Sequence, residues 1–350
     1  MVDDAVVMRK LITEALQQDP ELEVVGVAAN GSIALQKIPQ VCPDLVTLDL
    51  EMPEMDGLTT LQEIRKLYPD LPVIIFSTLS QKGAIATLDA LSFGANDYVT
   101  KPANVGSVTE ALSRLEQELV PKIKAHCRRR GLLRAAAPRP AGGWTSAPPA
   151  PAVRPAARPV EVVCIGTSTG GPNALAEVFS NFPDNFPVPI LVVQHMPPMF
   201  TAMLADRLDT HSRVRCHEGA DGQLVEAGHA YLAPGGRHME VARSGASLRL
   251  LLHDGPAENS CRPAVDVLFR SAAAVYGGAG LGVIMTGMGQ DGLRGCEAIR
   301  EQGGRIIAQD EVTSVVWGMP GSVAQAGLAD RVLPLSQIAW EIIRQVRNSR

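Results

Sequence analysis

Three residue types that together can cleave an acyl bond stand just past apolar runs in this chain: Ser168, His195 and Asp291. Ser168 lies in Gly166-Thr167-Ser168-Thr169-Gly170-Gly171, after Val160-Glu161-Val162-Val163-Cys164-Ile165 and before a helix start at Pro172-Asn173-Ala174-Leu175. A Gly-x-Ser-x-Gly turn between strand and helix holds a hydroxyl clear of its neighbours, and backbone N–H groups at the helix's positive end face any oxyanion formed there. His195 follows Ile190-Leu191-Val192-Val193-Gln194. Asp291 sits in Gly287-Met288-Gly289-Gln290-Asp291-Gly292, after Leu281-Gly282-Val283-Ile284-Met285-Thr286. Serine alone is a weak nucleophile; it needs a base to take its proton and a group that orients the base. Taken singly, each residue has an ordinary role, since a histidine past a strand is often only hydrogen-bonded and an aspartate in a glycine turn often caps the next helix. Three complementary groups at equivalent strand ends favour catalysis.

Residues so far apart in sequence meet only if their strands run parallel, because the carboxyl ends of a parallel α/β sheet share one edge. The order serine, histidine, aspartate differs from that of α/β-hydrolases, chymotrypsin and subtilisin, so the triad calls for another scaffold. The serine strand also follows a proline-rich stretch and opens its own domain, residues 160–350, expected as a doubly wound parallel α/β catalytic domain. The loop from Gly287 to Gly292 equally satisfies Gly-x-Gly-x-x-Gly, with Asp310 beyond the next apolar run, which is a dinucleotide fingerprint. Against that reading, Asp291 puts a negative charge at the helix start that would have to receive a pyrophosphate.

The chain's 350 residues allow about two domains. No apolar run approaches the roughly 18 residues of a membrane span, and residues 1–20 contain acids and no signal-peptide core, so direct membrane insertion and secretion are not expected. Six scattered cysteines show neither Cys-x-x-Cys pairs nor histidine spacing suited to zinc, as in a reduced cytoplasmic protein. Residues 121–159, rich in proline, alanine and arginine, read as a linker. Its arginines lack interleaved aromatics apart from Trp144, so no nucleic-acid partner is expected.

Residues 1–120 alternate helix and strand patterns in flavodoxin-like fashion. Asp44-Leu45-Val46-Thr47-Leu48 delivers Asp49, Pro72-Val73-Ile74-Ile75-Phe76 delivers Ser77, and Asp97-Tyr98-Val99-Thr100 delivers Lys101 to one edge. Asp3 and Asp4 join Asp49 in an acidic cluster whose mutual repulsion a hard cation such as Mg²⁺ would relieve.

Thr47-Leu48-Asp49-Leu50-Glu51-Met52-Pro53-Glu54-Met55-Asp56-Gly57-Leu58 resembles the phosphoacceptor loop of a response-regulator receiver domain. The resemblance implies phosphorylation at Asp49 and Mg²⁺ held by Asp4, Asp49 and the backbone carbonyl of Glu51, with Asp3 completing the acidic pair. It also makes Ser77 the switch hydroxyl, Tyr98 the switch aromatic and Lys101 the phosphate partner. One departure stands out: only Met1 and Val2 precede Asp3, where a receiver has an apolar first strand of about five residues. The first strand is expected to be missing or mutilated, as if the true start lay upstream, which would weaken phosphorylation.

The second unit is similar to the chemotaxis protein-glutamate methylesterases, the CheB family. The stretches that carry this are Ile165 to Pro172, Val193-Gln194-His195-Met196-Pro197, Ala233 to Met239, Arg262-Pro263-Ala264-Val265-Asp266-Val267-Leu268-Phe269, Met285 to Gly292 and Trp317-Gly318-Met319-Pro320. The resemblance implies hydrolysis of glutamate γ-methyl esters on methyl-accepting chemoreceptors, with deamidation of receptor glutamines, no cofactor for the esterase, and a chemotaxis histidine kinase as phosphodonor. Ser168 would be the nucleophile, His195 the base and Asp291 its orienter. Backbone N–H groups of Met288 and Thr169 would form the oxyanion hole. A signalling scaffold without catalysis is the rival reading; replacing Ser168 by alanine separates the two.

Overall fold

The structure, a computed structural model, describes residues 1–102, 107–129 and 158–348. The chain divides into two compact units, Met1–Arg134 and Ala135–Arg350. The part of the expected linker at 130–157 lies outside the described residues.

In the first unit the order is α1 (Val6–Gln17), α2 (Gly31–Val41), β1 (Val46–Asp49), α3 (Gly57–Leu67), β2 (Val73–Ser77), α4 (Gln81–Ser92), β3 (Asp97–Thr100) and α5 (Val108–Arg129). Strands β1, β2 and β3 pair in parallel in that order. All five residues of β2 are buried, as befits a central parallel strand written as one apolar run. Polar residues start four of the helices: Asn30, Asp56, Ser80 and Ser107 each accept a backbone N–H three residues on, which satisfies one of the helix's unpaired donors. Ile12 and Leu16 of α1 share a core with Phe76 and with Leu115, Leu119 and Ile123 of α5. Helix α5 continues past residue 120 to Arg129, into the stretch whose composition suggested a linker.

The place of a first strand is held by one residue. Val2 N–H donates to Thr47 O (2.8 Å) and Val2 O accepts from Asp49 N–H (2.9 Å). On its other side Asp3 N–H donates to Ala28 O (3.1 Å) and Ala28 N–H to Met1 O (2.9 Å). This single rung brings Asp3 to the carboxyl end of β1. A cavity of about 360 Å³ lies beside it, lined by Val24, Val41, Leu45 and Ile123 among others.

The second unit runs β4 (Val162–Thr167), α6 (Gly171–Ser180), β5 (Ile190–Gln194), α7 (Phe200–His211), β6 (Arg215–Glu218) and β7 (His229–Leu232). An antiparallel hairpin of β8 (His238–Ser244) and β9 (Ser247–His253) follows. Then come α8 (Val265–Tyr276), β10 (Gly280–Ile284), α9 (Leu293–Glu301), β11 (Arg305–Gln309), α10 (Met319–Gln325), β12 (Arg331–Leu333) and α11 (Leu335–Asn348). Seven strands form one parallel sheet in the order β12-β11-β10-β4-β5-β7-β6. The sheet grows from β4 to one side, then returns to continue from β10 on the other. That reversal creates a crevice at the carboxyl ends of β4 and β10, the place where open α/β sheets bind ligands. Among the described residues, no helix is long and apolar enough to cross a membrane.

Candidate active site

The strand register sets the site. Thr167 pairs with Gln194 and Gly166 with both Val193 and Ile284, so Ser168, His195 and the loop after β10 leave neighbouring strand ends together. Ser168 N–H donates to Thr286 O (3.0 Å), and His195 N–H to Thr167 O (3.2 Å). Gly170 takes φ +76°, a left-handed conformation glycine adopts without penalty, and turns the chain into α6. Gly287 permits the close approach of the β10 loop, since a Cβ there would fall 2.9 Å from the Cβ of Ser168.

His195 and Asp291, ninety-six residues apart, are in direct contact: Nε2 lies 2.8 Å from Asp291 Oδ2. Asp291 is buried and held from several sides. It accepts from the N–H groups of Val265 (2.7 Å), Asp266 (3.0 Å) and Gly292 (3.0 Å), and from Asn259 Nδ2 (3.0 Å). The first two belong to the N-terminus of α8, whose dipole favours a carboxylate. Burial pushes the Asp291 pKa up, but the hydrogen bond and charge of His195 and the backbone donors outweigh it, and the group stays below its usual range. For His195 burial favours the neutral ring; the hydrogen bond to Asp291 and the contact with Cys261 overcome that and raise its pKa to about 9.

Among the described residues the Ser168 hydroxyl makes no hydrogen bond with His195. The ring's second nitrogen, Nδ1, faces Cys261 Sγ at 3.5 Å. Contacts between nucleophile and base are commonly loose before substrate arrives and tighten in the complex. The backbone N–H groups of Thr169 and Met288, expected at an oxyanion hole, donate to no backbone acceptor among the described residues.

Sequence reasoning missed the supports of this site. Gln194 is fully buried; its Oε1 accepts from Thr167 Oγ1 (2.6 Å) while its Nε2 donates to the carbonyls of Ser168 (3.0 Å) and His195 (3.1 Å). It thereby ties the serine turn to the histidine. A buried glutamine ending an apolar strand was a readable signal. Asn259, Cys261 and Asp266 gave none, because nothing in their spacing shows that the loop before α8 folds back over His195. Asp310 accepts from Thr313 N–H (2.9 Å) and Oγ1 (2.6 Å), and Asp291 turns toward His195 and α8. Both acids of the dinucleotide fingerprint are thus engaged in local structure.

In the first unit Asp3, Asp4 and Asp49 each present a carboxylate oxygen within 4.8 Å of the others. Lys101 Nζ lies 2.7 Å from Asp49 Oδ2 and 3.1 Å from Asp3 Oδ2. Burial, with Asp3 adding to it, raises the Asp49 pKa against the pull of Lys101. Asp3 Oδ2 has this ion pair but no hydrogen bond, so the cluster is short of positive charge and donors. That donor set fits a hard divalent cation. Ser77 Oγ donates to Gly83 O (3.1 Å) and accepts from Thr87 Oγ1 (2.6 Å), which turns it toward α4. Tyr98 is buried with Lys122 Nζ 5.0 Å above its ring, and burial lifts its pKa well above the usual value.

The two units together make a hydrolase carried with a phosphoacceptor domain. Residues 163–342 match the family model described as CheB methylesterase, and residues 1–113 that of the response regulator receiver domain. The chain is 52% identical to the protein-glutamate methylesterase/protein-glutamine glutaminase of Trichodesmium erythraeum (strain IMS101), over 99% of this chain and 98% of that protein. It is 50% identical to the protein of the same name from Nocardioides sp. (strain ATCC BAA-499 / JS614), over 100% and 95%. The crystal structure of the Thermotoga maritima CheB methylesterase catalytic domain matches with a TM-score of 0.52 and 44% identity, covering 53% of this chain and 98% of that one. The chain belongs to the CheB family of chemotaxis protein-glutamate methylesterases, enzymes joined to a response-regulator receiver.

Proposed function

We propose that this chain removes methyl groups from glutamate γ-methyl esters of methyl-accepting chemoreceptors, and deamidates receptor glutamines, through Ser168, His195 and Asp291. The observation that carries this is the His195–Asp291 contact at the sheet's switch point, beside the serine turn. Asp291 accepts a hydrogen bond from Nε2–H of the neutral ring, so Nδ1 keeps the lone pair and receives the Ser168 proton as the hydroxyl attacks the ester carbonyl. The imidazolium then protonates the departing methoxide. Methanol leaves, and water releases the acyl enzyme by the same relay. Thr169 and Met288 N–H groups stabilise the oxyanion, where one donor contributes roughly 3 kcal/mol.

Asp49 is the phosphoacceptor, with a chemotaxis histidine kinase as donor and the cytoplasm as the place of action. Asp3, Asp4 and Asp49 would hold Mg²⁺ together with the Glu51 carbonyl; the ion supplies charge neutralisation for phosphoryl transfer. Lys101 stands ready to pair with the phosphate, and Ser77 and Tyr98 are the residues expected to respond. The test is methanol release from methylated chemoreceptor: the wild-type chain releases it and Ser168→Ala does not. Equal release by both would overturn the assignment of the nucleophile.

A further inference from the structure

Cys261 has no part in the proposed proton relay, yet its Sγ lies 3.5 Å from the ring nitrogen that must receive the serine proton. A tetrahedral zinc ion, with Zn–S near 2.3 Å and Zn–N near 2.0–2.1 Å, sets its sulfur and nitrogen ligands about 3.6 Å apart. Cys261 Sγ and His195 Nδ1 therefore already stand at the separation of two ligands to one thiophilic cation. A second observation concerns the far side of the ring. Metal-binding histidines characteristically donate their other N–H to a carboxylate, which fixes the tautomer and raises the basicity of the ligating nitrogen. His195 has that support in Asp291, 2.8 Å from Nε2. Asp291 is in turn fixed by Asn259 and the backbone of Val265, Asp266 and Gly292.

The sulfur is also held and reachable. Asn259 and Ser260 both adopt left-handed backbone conformations, φ 51° and 62°, in a tight turn closed by reciprocal hydrogen bonds between Glu258 and Cys261. Cys261 is partly exposed, whereas Cys164, Cys216 and Cys296 are buried.

We propose that Cys261 and His195 form an inhibitory binding site for a thiophilic divalent cation, Zn²⁺ being the physiological one. The inference rests on His195 as the base of the proposed reaction. Binding releases the Cys261 thiol proton and any proton carried at His195 Nδ1 to solvent, the thiolate and the Nδ1 lone pair become ligands, and water fills the remaining positions. Ser168 then has no acceptor for its proton. Mg²⁺, which prefers oxygen ligands, does not compete here, so ligand chemistry separates a magnesium-dependent receiver from a zinc-sensitive esterase.

The test uses the full-length chain with Cd²⁺ as a spectroscopic probe and Zn²⁺ as the inhibitor. Cd²⁺ should raise ultraviolet thiolate-to-metal absorption in the wild-type chain and equally in Ser168→Ala. Cys261→Ser should lose that absorption, and Asp291→Asn should bind about 10–100-fold more weakly. Zn²⁺ should inhibit methanol release reversibly on chelation. Cys261→Ser, measured against its own metal-free rate, should need at least about tenfold more zinc. Absorption unchanged in Cys261→Ser, which would point to the exposed Cys42, overturns the site, as does unchanged zinc sensitivity. Cadmium binding without methanol release from the wild-type chain would overturn the esterase reading instead, and release without binding would overturn the metal site.

Discussion

Asp291 meets His195 at Nε2, 2.8 Å away, so Nδ1 is the ring nitrogen left to accept the serine proton in the proposed reaction. The carboxylate thereby selects a tautomer. In Asp291→Asn the amide N–H₂ can face Nε2 as a donor, which favours the tautomer with its proton on Nδ1 and leaves no lone pair for Ser168. We expect kcat to fall roughly 10⁴-fold, as it does when the triad acid is amidated in serine hydrolases. The fold should survive, because the amide oxygen can still accept from α8. Circular dichroism with single-turnover methanol release checks both; a loss under tenfold would mean that Asp291 only positions α8.

The raised pKa of His195 gives a pH dependence with a definite sign. Burial favours the neutral ring, but Asp291 and Cys261 lift the pKa to about 9, and a protonated ring cannot accept the serine proton. The kcat/KM profile should therefore climb with pH to a limb above the ordinary histidine value of about 6.5. Stability runs the other way. A folded pKa above the unfolded one contributes stability fully present below about pH 6.5 and lost as pH rises through the folded value. Turnover should rise and Tm fall over the same interval. A limb at or below 6.5 would show that the ring is not held in its charged form.

Gln194 bridges the serine turn and the histidine, and its removal strands partners on both. In Gln194→Ala the buried Thr167 hydroxyl loses its acceptor and the Ser168 and His195 carbonyls lose a donor. Unsatisfied buried groups cost about 1–3 kcal/mol. Loosening the turn by an ångström costs on the order of 10² in rate. We expect a lower Tm together with a kcat loss at nearly constant KM. Gln194→Glu should restore only the acceptor role toward Thr167. An Ala variant with normal kcat would confine Gln194 to stability.

The strands that carry the candidate site were readable because buried parallel strands are continuous apolar runs; Ser168 and His195 directly follow β4 and β5, and Asp291 lies in the loop after β10. Cys261 and Asn259 were not, since their place depends on a loop folding over a strand end far away in sequence. The first strand shows a different limit. Two residues before Asp3 are too few for a strand, yet one rung at Val2, shared between Thr47, Asp49 and Ala28, suffices to place Asp3 beside Asp49. Composition also ended the first unit too early. The linker was expected from residue 121, but Lys122 pairs with Asp97 (3.3 Å) and Lys124 with Asp19 and Glu21 (2.6 Å each), which binds the end of α5 to the unit.

The acidic cluster predicts how the receiver responds to metal. Of three carboxylates within 4.8 Å only Asp3 and Asp49 pair with Lys101, and burial holds the Asp49 pKa up, so the cluster opposes folding wherever Asp49 is ionised. Mg²⁺ should offset this and raise Tm in a concentration-dependent way, by about 2.7 kcal/mol of stability at one hundred times its Kd. Asp49→Asn should reduce that gain by removing a ligand, and it should abolish any rise in methanol release on treatment with a phosphodonor while leaving turnover without phosphate unchanged. Lowering the pH toward the raised Asp49 pKa should stabilise the metal-free chain and weaken Mg²⁺ binding, because the proton and the cation relieve the same repulsion. A Tm indifferent to Mg²⁺ in the wild-type chain, with phosphodonor treatment also without effect, would show that the single rung at Val2 does not hold Asp3 and Asp4 well enough to build the site.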